Sequence, residues 1–159
     1  MTSSVAVIGG GLGGLAVAVA LRDHDLEVKV YEAAPAARLE GELLSLWSNG
    51  TSMLARLGVN PQGEVVERMI LHAAGREVVF DVGSVAAATG SPNVTVRRVD
   101  LLGALTAELG PDQVHYGKEC VAIRSHGSRA VARFADGSVI EADLVIGADG
   151  VNSAVRQCL

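Results

Sequence analysis

Glycines at positions 9, 11 and 14, together with an acid at Glu32, make the spacing in this chain that most directly implies chemistry. They lie in and after Val5-Ala6-Val7-Ile8-Gly9-Gly10-Gly11-Leu12-Gly13-Gly14-Leu15-Ala16, a strand that runs into a glycine turn and then a helix. G-x-G-x-x-G between strand and helix, with an acid at the tip of the next strand, is the dinucleotide-binding fingerprint in the context it requires. Gly9 allows the tight turn, Gly11 has no Cβ to hold a pyrophosphate off the backbone, and Gly14 lets the helix pack closely on the strand. The N–H groups of the first helical turn, which includes Leu12 and Gly13, face the phosphates. Glu32, after Val28-Lys29-Val30-Tyr31, accepts hydrogen bonds from a ribose 2′-OH. A hydrogen bond to a charged group is worth roughly 1.5–3 kcal/mol, enough to favour an unphosphorylated ribose. This motif alone does not separate NAD from FAD.

A second constellation follows a continuous apolar run. Leu144-Val145-Ile146-Gly147-Ala148 leads into Asp149-Gly150-Val151-Asn152-Ser153-Ala154-Val155-Arg156. An acid at the C-terminal end of a strand can accept from backbone N–H groups or from ligand hydroxyls, at the edge where ligands of open α/β sheets bind. The placing of Asp149, Gly150, Ser153 and Arg156 resembles the second fingerprint of the group A FAD-dependent monooxygenases, the flavoprotein aromatic hydroxylases of the para-hydroxybenzoate hydroxylase type. Arg98-Val99-Asp100-Leu101 is similar to that family's R-x-D-L segment, and Arg38 to a basic residue before its G-x-G loop. Here Gly41-Glu42-Leu43 replaces the usual small-residue pair, and Ser48-Asn49-Gly50 lacks the proline of the family's P-N-A/G helix start.

The resemblance covers nearly the whole chain. It implies an α/β, Rossmann-like FAD-binding fold of the glutathione-reductase type, with a parallel sheet and an antiparallel β-meander, incomplete relative to the family. It implies FAD as cofactor, NADPH or NADH as reductant, and O2 and a small, aromatic organic substrate as partners. The cofactor-binding positions it carries over are Gly9, Gly11, Leu12, Gly13, Gly14, Glu32, Arg38, Arg98, Asp149 and Gly150. Arg98 is placed by the flavin pyrophosphate and Arg38 near the isoalloxazine. For Arg98 the competing reading is a surface residue at a helix start, and for Ser153 and Arg156 a capping or salt-bridge role. No catalytic residue is assigned.

The elements that must position these residues follow from periodicity and turn signals. A first helix is expected from about Leu12 to Arg22, then an alternating strand from Leu26 to Tyr31 and a loop over residues 33–40. A short strand at residues 43–47 precedes a helix carrying Met53, Leu54 and Leu57, with N-cap candidates at residues 48–51 and Gly58 at the C-cap. Residues 68–81 read as a hairpin turning at Ala74-Gly75-Arg76, and residues 82–93, rich in Gly, Ser and Ala, as a mobile connection. After a strand at residues 94–96, a helix sets Leu101, Leu102, Leu105 and Leu109 on one face and stops at Gly110-Pro111. Val114-His115-Tyr116 is expected as the third strand of the nucleotide-binding sheet. A meander over residues 119–141 then turns at His126-Gly127 and Asp136-Gly137. The run at residues 144–148 is expected to be a parallel strand covered on both faces. Residues 1–159 then form the N-terminal part of one FAD-binding domain, with about 68–96 starting a substrate-side sheet.

With 49% hydrophobic residues but only 3% aromatic, the core must be built from Val, Leu, Ile and Ala. A net charge of −5 argues against nucleic acid, which needs clustered Lys and Arg to neutralise phosphate. Residues 5–21 form an apolar-or-glycine run near the length of a short membrane span, yet the glycines clustered in one turn would break such a helix. No basic region precedes it, so neither a membrane span nor a signal peptide is expected, and the protein reads as cytoplasmic. Cys120 and Cys158 are isolated and read as buried or half-buried thiols, with a single disulfide as the other possibility. His24, His72, His115 and His126 are scattered as surface or strand residues, and no metal site is expected.

The expected function is the FAD-binding part of an NAD(P)H-dependent flavin monooxygenase, not catalytically complete alone. The alternatives are a same-fold flavin reductase or halogenase and a non-catalytic dinucleotide-binding module. An apolar strand at residues 144–148 with no later strand to pair it implies either a piece of a longer protein or another cover for that edge. It also makes self-association through the unpaired edge an expectation.

Overall fold

The computed structural model describes residues 2–37 and 41–158, so Arg38 lies outside the described residues. Along the chain run β1 (Ser3–Ile8), α1 (Leu12–Arg22), β2 (Leu26–Tyr31), β3 (Leu43–Leu46), α2 (Ser48–Arg56), β4 (Glu64–Val65), β5 (Arg68–Ala73) and β6 (Arg76–Asp81). They continue as α3 (Gly83–Thr89), β7 (Val94–Arg97), α4 (Arg98–Leu109), a 3-10 turn (Pro111–Gln113), β8 (Val114–His115), β9 (Cys120–His126), β10 (Arg129–Phe134), β11 (Val139–Ala142), β12 (Leu144–Gly147) and α5 (Ala154–Gln157). Two compact units result, one of residues 1–39 and 105–159, the other of residues 40–104.

The first unit is the Rossmann-like α/β arrangement expected from the glycine turn. Its parallel sheet has the order β12-β1-β2-β8. β1 is buried from Val5 to Ile8, as its central place demands. In α1 the buried residues are Gly14, Leu15, Ala18 and Val19, a single stripe at helical spacing that packs on the sheet. Ala6 and Ile8 join Tyr31, Cys120, Ala132, Phe134, Ala142 and Val155 in a second core cluster. Four of these come from the meander β9-β10-β11, which forms its own antiparallel sheet. Phe134 is fully buried there and packs against Tyr31, with ring centroids 5.1 Å apart and the planes tilted by 31°.

β12 departs from expectation. It pairs in parallel with β1 and stands at the sheet's edge, with Leu144 52% exposed and Val145 and Ile146 half-buried. Its apolar run lies beside β1, and among the described residues no strand pairs with its other edge. A strand reports its neighbours through its side chains, whereas the pairing of its edges depends on backbone groups that carry no sequence signal. A polar staple fixes the start of this strand. Ser4 donates to Asp143 Oδ2 through its N–H at 2.7 Å and its hydroxyl at 2.8 Å.

In the second unit β3, β7 and β4 form an antiparallel sheet whose Val94 and Val96 are buried. β5 and β6 pair as the expected hairpin, turning through Ala74 (φ 49°) and Gly75 (φ 75°). Positive φ at both central residues matches the right-handed twist of the strands. Every residue of β6 is exposed.

Two expectations for this unit are corrected. Residues 82–93 are not a plain connection, since α3 occupies Gly83–Thr89. Asp81 Oδ1 accepts from the N–H groups of Gly83 and Ser84, the alanine run favours the helix, and Gly90 (φ 69°) ends it. The proposed caps at residues 48–51 also fail. Helix α2 already begins at Ser48, behind Trp47, and no side chain of its own caps it. The Ser48 N–H instead donates to Asn93 Oδ1 at 2.8 Å. Asn93, 2% exposed, also donates through Nδ2 to the Val82 carbonyl at 2.7 Å.

Of the expected face of α4, Leu101, Leu105 and Leu109 are buried and Leu102 is half-buried. Among the described residues no helix is long and apolar enough to cross a membrane.

Candidate functional site

The glycine turn, Glu32 and the Asp149 turn all follow the carboxyl ends of neighbouring parallel strands in the first unit. Backbone bonds knit these ends together beyond the strands. Gly9 N–H donates to Tyr31 O at 2.8 Å, Ala148 N–H to Ile8 O at 2.7 Å, and Glu32 N–H to His115 O at 2.9 Å.

Each fingerprint glycine meets a different steric demand. Gly9 has φ 106°, and a Cβ there would lie 2.4 Å from the Ala148 carbonyl oxygen. A Cβ on Gly14 would lie 1.9 Å from the carbonyl oxygen of Gly9. Both positions are closed by the protein itself. Gly11 and Gly13 are the opposite case, because a Cβ at either would meet nothing within 4 Å. Their openness is space into which a ligand can come against the backbone. Gly11 is the N-cap of α1, its carbonyl accepts from Leu15 N–H at 2.9 Å, and no side chain caps the helix. The first turn also carries no acid, so the N–H groups of Leu12, Gly13 and Gly14 are not met by a negative side chain. Such a helix start favours an anion.

Glu32 is held by two backbone donors. Gly10 N–H donates to Oε2 at 2.6 Å and Ala34 N–H to Oε1 at 2.8 Å. Each oxygen retains a lone pair for a ligand hydroxyl. The fingerprint leaves Gly10 unspecified. A Cβ there would lie 2.9 Å from the Cβ of Glu32. The glycine between Gly9 and Gly11 is the available signal.

The second motif forms a closed turn. Asp149 Oδ1 accepts from the Ser153 hydroxyl at 2.5 Å and Oδ2 from Val155 N–H at 3.1 Å. Ser153 in turn caps α5, accepting from Arg156 N–H at 2.9 Å, and the Arg156 guanidinium donates to Val151 O. Burial pushes the Asp149 carboxyl up, but these donors outweigh it and hold the group below the ordinary carboxylate range. Gly150 has φ 84°, the left-handed conformation that favours glycine. Gly147 is small for a local reason as well, since a Cβ there would lie 2.7 Å from Val155 Cγ1. Ser153 and Arg156 therefore do the capping work that was their competing reading.

Arg98 is the first residue of α4 and half-buried, and its N–H donates to Glu42 O at 2.9 Å. Asp100 is taken by Arg97, whose Nε and Nη2 donate to its two oxygens at 2.7 and 2.8 Å. In R-x-D-L the acid thus serves the preceding arginine. His115 lies beside Tyr31, ring centroids 5.1 Å apart, and its buried Nε2 has no hydrogen-bond partner among the described residues. Among the described residues no cluster of His, Cys, Asp and Glu could hold a metal ion.

Residues 7–38 match the NAD(P)-binding Rossmann-like domain family. The chain is 32% identical to an FAD-dependent urate hydroxylase of Mycolicibacterium vanbaalenii, over 96% of this chain and 41% of that protein. It is 37% identical to a 6-hydroxynicotinate 3-monooxygenase of Pseudomonas fluorescens, over 96% of this chain and 42% of that one. The crystal structure of Klebsiella pneumoniae HpxO complexed with FAD and uric acid superposes with a TM-score of 0.86 at 32% identity, covering 97% of this chain and 41% of HpxO. The chain spans about two fifths of the length of the curated relatives it matches.

Proposed function

We propose, from the homology of this chain to FAD-dependent monooxygenases, that it is the FAD-binding part of an NAD(P)H-dependent enzyme that hydroxylates a small aromatic substrate. The observation that carries this reading is the contrast within the glycine turn. Gly9 and Gly14 are closed by the protein's own backbone, while Gly11 stands open at an uncapped helix start. That is a cradle with room for a pyrophosphate, and the Glu32 carboxylate beyond the next strand suits ribose hydroxyls. The residues present fit the ADP half of FAD.

In this reading the backbone from Gly9 through Leu12 and Gly13 to Gly14 receives the pyrophosphate, and Glu32 orients the ribose. Arg98 and Arg38 add positive charge to the cofactor, as the resemblance of their segments implies. Asp149 and Gly150 serve the ribitol side. Asp149 has both oxygens engaged by α5, so its first task is to hold the Gly150 turn in place. When bound, FAD would supply the redox chemistry that links NAD(P)H, O2 and the substrate. The protein's part is binding, orientation and exclusion of water.

Residues 68–96, with their exposed hairpin, are proposed to begin the substrate-side sheet. A cytoplasmic location and self-association through the β12 edge belong to the same reading. Calorimetry with FAD and with ADP tests it. Both ligands should bind, FAD weakly, and Gly11→Val should abolish both signals. No binding of either ligand to the wild-type chain would overturn the proposal. ADP binding without any FAD binding would favour a bare dinucleotide-binding module.

A further inference from the structure

Cys120 and Cys158 are the two cysteines of the chain, and both thiols are free. They arrive at one place from distant parts of the sequence. Cys120 opens β9, is 8% exposed, and belongs to the same core cluster as Val155 of α5. α5 packs on β9. Cys158 follows α5 as its C-cap, its N–H donating to the Val155 carbonyl at 3.0 Å. Residues three apart on a helical turn share a face, so the side of α5 that brings Val155 into the cluster with Cys120 also carries Cys158. The Cys158 thiol is exposed.

We propose that Cys120 and Cys158 form a peroxide-sensitive thiol pair that closes to a disulfide between β9 and α5. The two sulfurs have distinct parts in this chemistry. Burial pushes the Cys120 thiol up, against the hydrogen bond it donates to the Ala122 carbonyl, and the nearby Asp149 carboxylate and Cys158 sulfur push it the same way. Cys120 therefore stays protonated and shielded, while Cys158 meets solvent and reacts first. The Cys158 thiolate attacks one oxygen of hydrogen peroxide. The O–O bond breaks, the departing hydroxide takes up a proton as water, and the sulfur becomes a sulfenic acid. Cys120 then loses its proton and attacks that sulfur. The S–O bond breaks and the second oxygen leaves as water. Two thiols have given up two electrons, and one peroxide has become two waters.

The position gives the bond a consequence. Ser153 and Val155, which hold the Asp149 carboxylate, flank or lie in α5. A cross-link from Cys158 to β9 fixes that helix and makes the Asp149–Gly150 turn responsive to oxidation.

The test uses the purified chain, native and without cofactor, so its failure is separate from any failure of the flavin reading. The chain is exposed to hydrogen peroxide, alkylated, and mapped by mass spectrometry with and without reductant. Both thiols should disappear together, the intact mass should fall by two hydrogens, and a Cys120–Cys158 cross-linked peptide should vanish on reduction. In Cys120→Ser, Cys158 should stop at a sulfenic acid that dimedone traps. In Cys158→Ser, a change at an exposed position, Cys120 should stay reduced. The proposal is overturned if Cys158 oxidises while Cys120 remains alkylatable in the wild type, if only disulfides between two chains form, or if neither thiol reacts.

Discussion

Gly14 lies against the carbonyl oxygen of Gly9, so close that a Cβ on Gly14 would stand 1.9 Å from it. The first turn of α1 is thus pressed onto the start of the glycine loop that precedes it. Gly14→Ala should force the two apart, lowering the melting temperature and removing ligand binding together. Gly11→Val differs, because its Cβ would meet nothing within 4 Å. It should melt as the wild type does and still fail to bind FAD or ADP. Thermal melts of the two variants beside calorimetry check this; equal destabilisation would refute it.

Glu32→Ala should act twice. It removes the acceptor of the part-buried Gly10 and Ala34 N–H groups, and leaving such donors unpaired costs at most about 1–3 kcal/mol each. It also removes the charged acceptor for a ribose hydroxyl, weakening ADP binding by roughly 1.5–3 kcal/mol. Glu32→Gln keeps one acceptor oxygen and should recover part of the stability but little of the affinity. Chemical denaturation and calorimetry on both variants separate the two effects.

Arg98→Ala should reduce FAD affinity while leaving apo stability unchanged, since Asp100 is already paired with Arg97. A lower apo melting temperature with unaltered FAD affinity would assign Arg98 to the start of α4 alone.

Acid should destabilise the fold through carboxylates held below their ordinary range. Burial raises Asp149, but the Ser153 hydroxyl and the Val155 N–H bring it down. Asp143 is lowered first by the Ser4 N–H and hydroxyl, and Asp136 first by Lys118 and then by Ser138. A depressed folded-state pKa adds stability that is complete above the unfolded value, about 3.9 for Asp. It is lost as pH falls through that value and the lower folded ones. Melting temperature should therefore be flat near neutrality and drop below about pH 4. Asp149→Asn should make that drop shallower at the cost of stability at neutral pH.

Alone, the chain should oxidise NAD(P)H no faster than free flavin and hydroxylate nothing. It should also elute larger than a monomer, because the β12 edge offers unpaired N–H and C=O groups. A yellow monomer that couples NAD(P)H oxidation to hydroxylation would refute both expectations.

The path from β1 through α1 to β2 was legible because its signals are local. The glycine turn starts α1 at Leu12, and the helix ends at Arg22, where Asp23-His24-Asp25 follow. The meander was legible for the same reason, its turns being marked by Gly127 and Gly137, both at positive φ. The start of α2 was not, because its acceptor is Asn93 and no pattern near Ser48 announces it. α3 was missed when Ala, Gly and Ser were read as loop composition, although Asp81 and Gly90 bracket a helix. In the site, the glycine slots were readable because steric exclusion admits one residue type. Gly10 escaped because its constraint comes from the Glu32 side chain. The engagement of Asp149 by its own following helix escaped for a similar reason, since a carboxylate looks the same in sequence whether it faces a ligand or a backbone N–H.

The Asn93 amide bears on the order in which the chain assembles. The acceptor for the first N–H of α2 lies 45 residues downstream, so that helix cannot complete its own beginning while it stands alone. The same side chain binds the Val82 carbonyl, and its backbone carbonyl accepts from Val66 N–H at 2.8 Å. Three segments thus wait for one residue, and the entropy of closing the loops between them must be met before any is secured. The second unit should accordingly form in a single late step rather than helix by helix, and a peptide cut to the length of α2 should remain a coil.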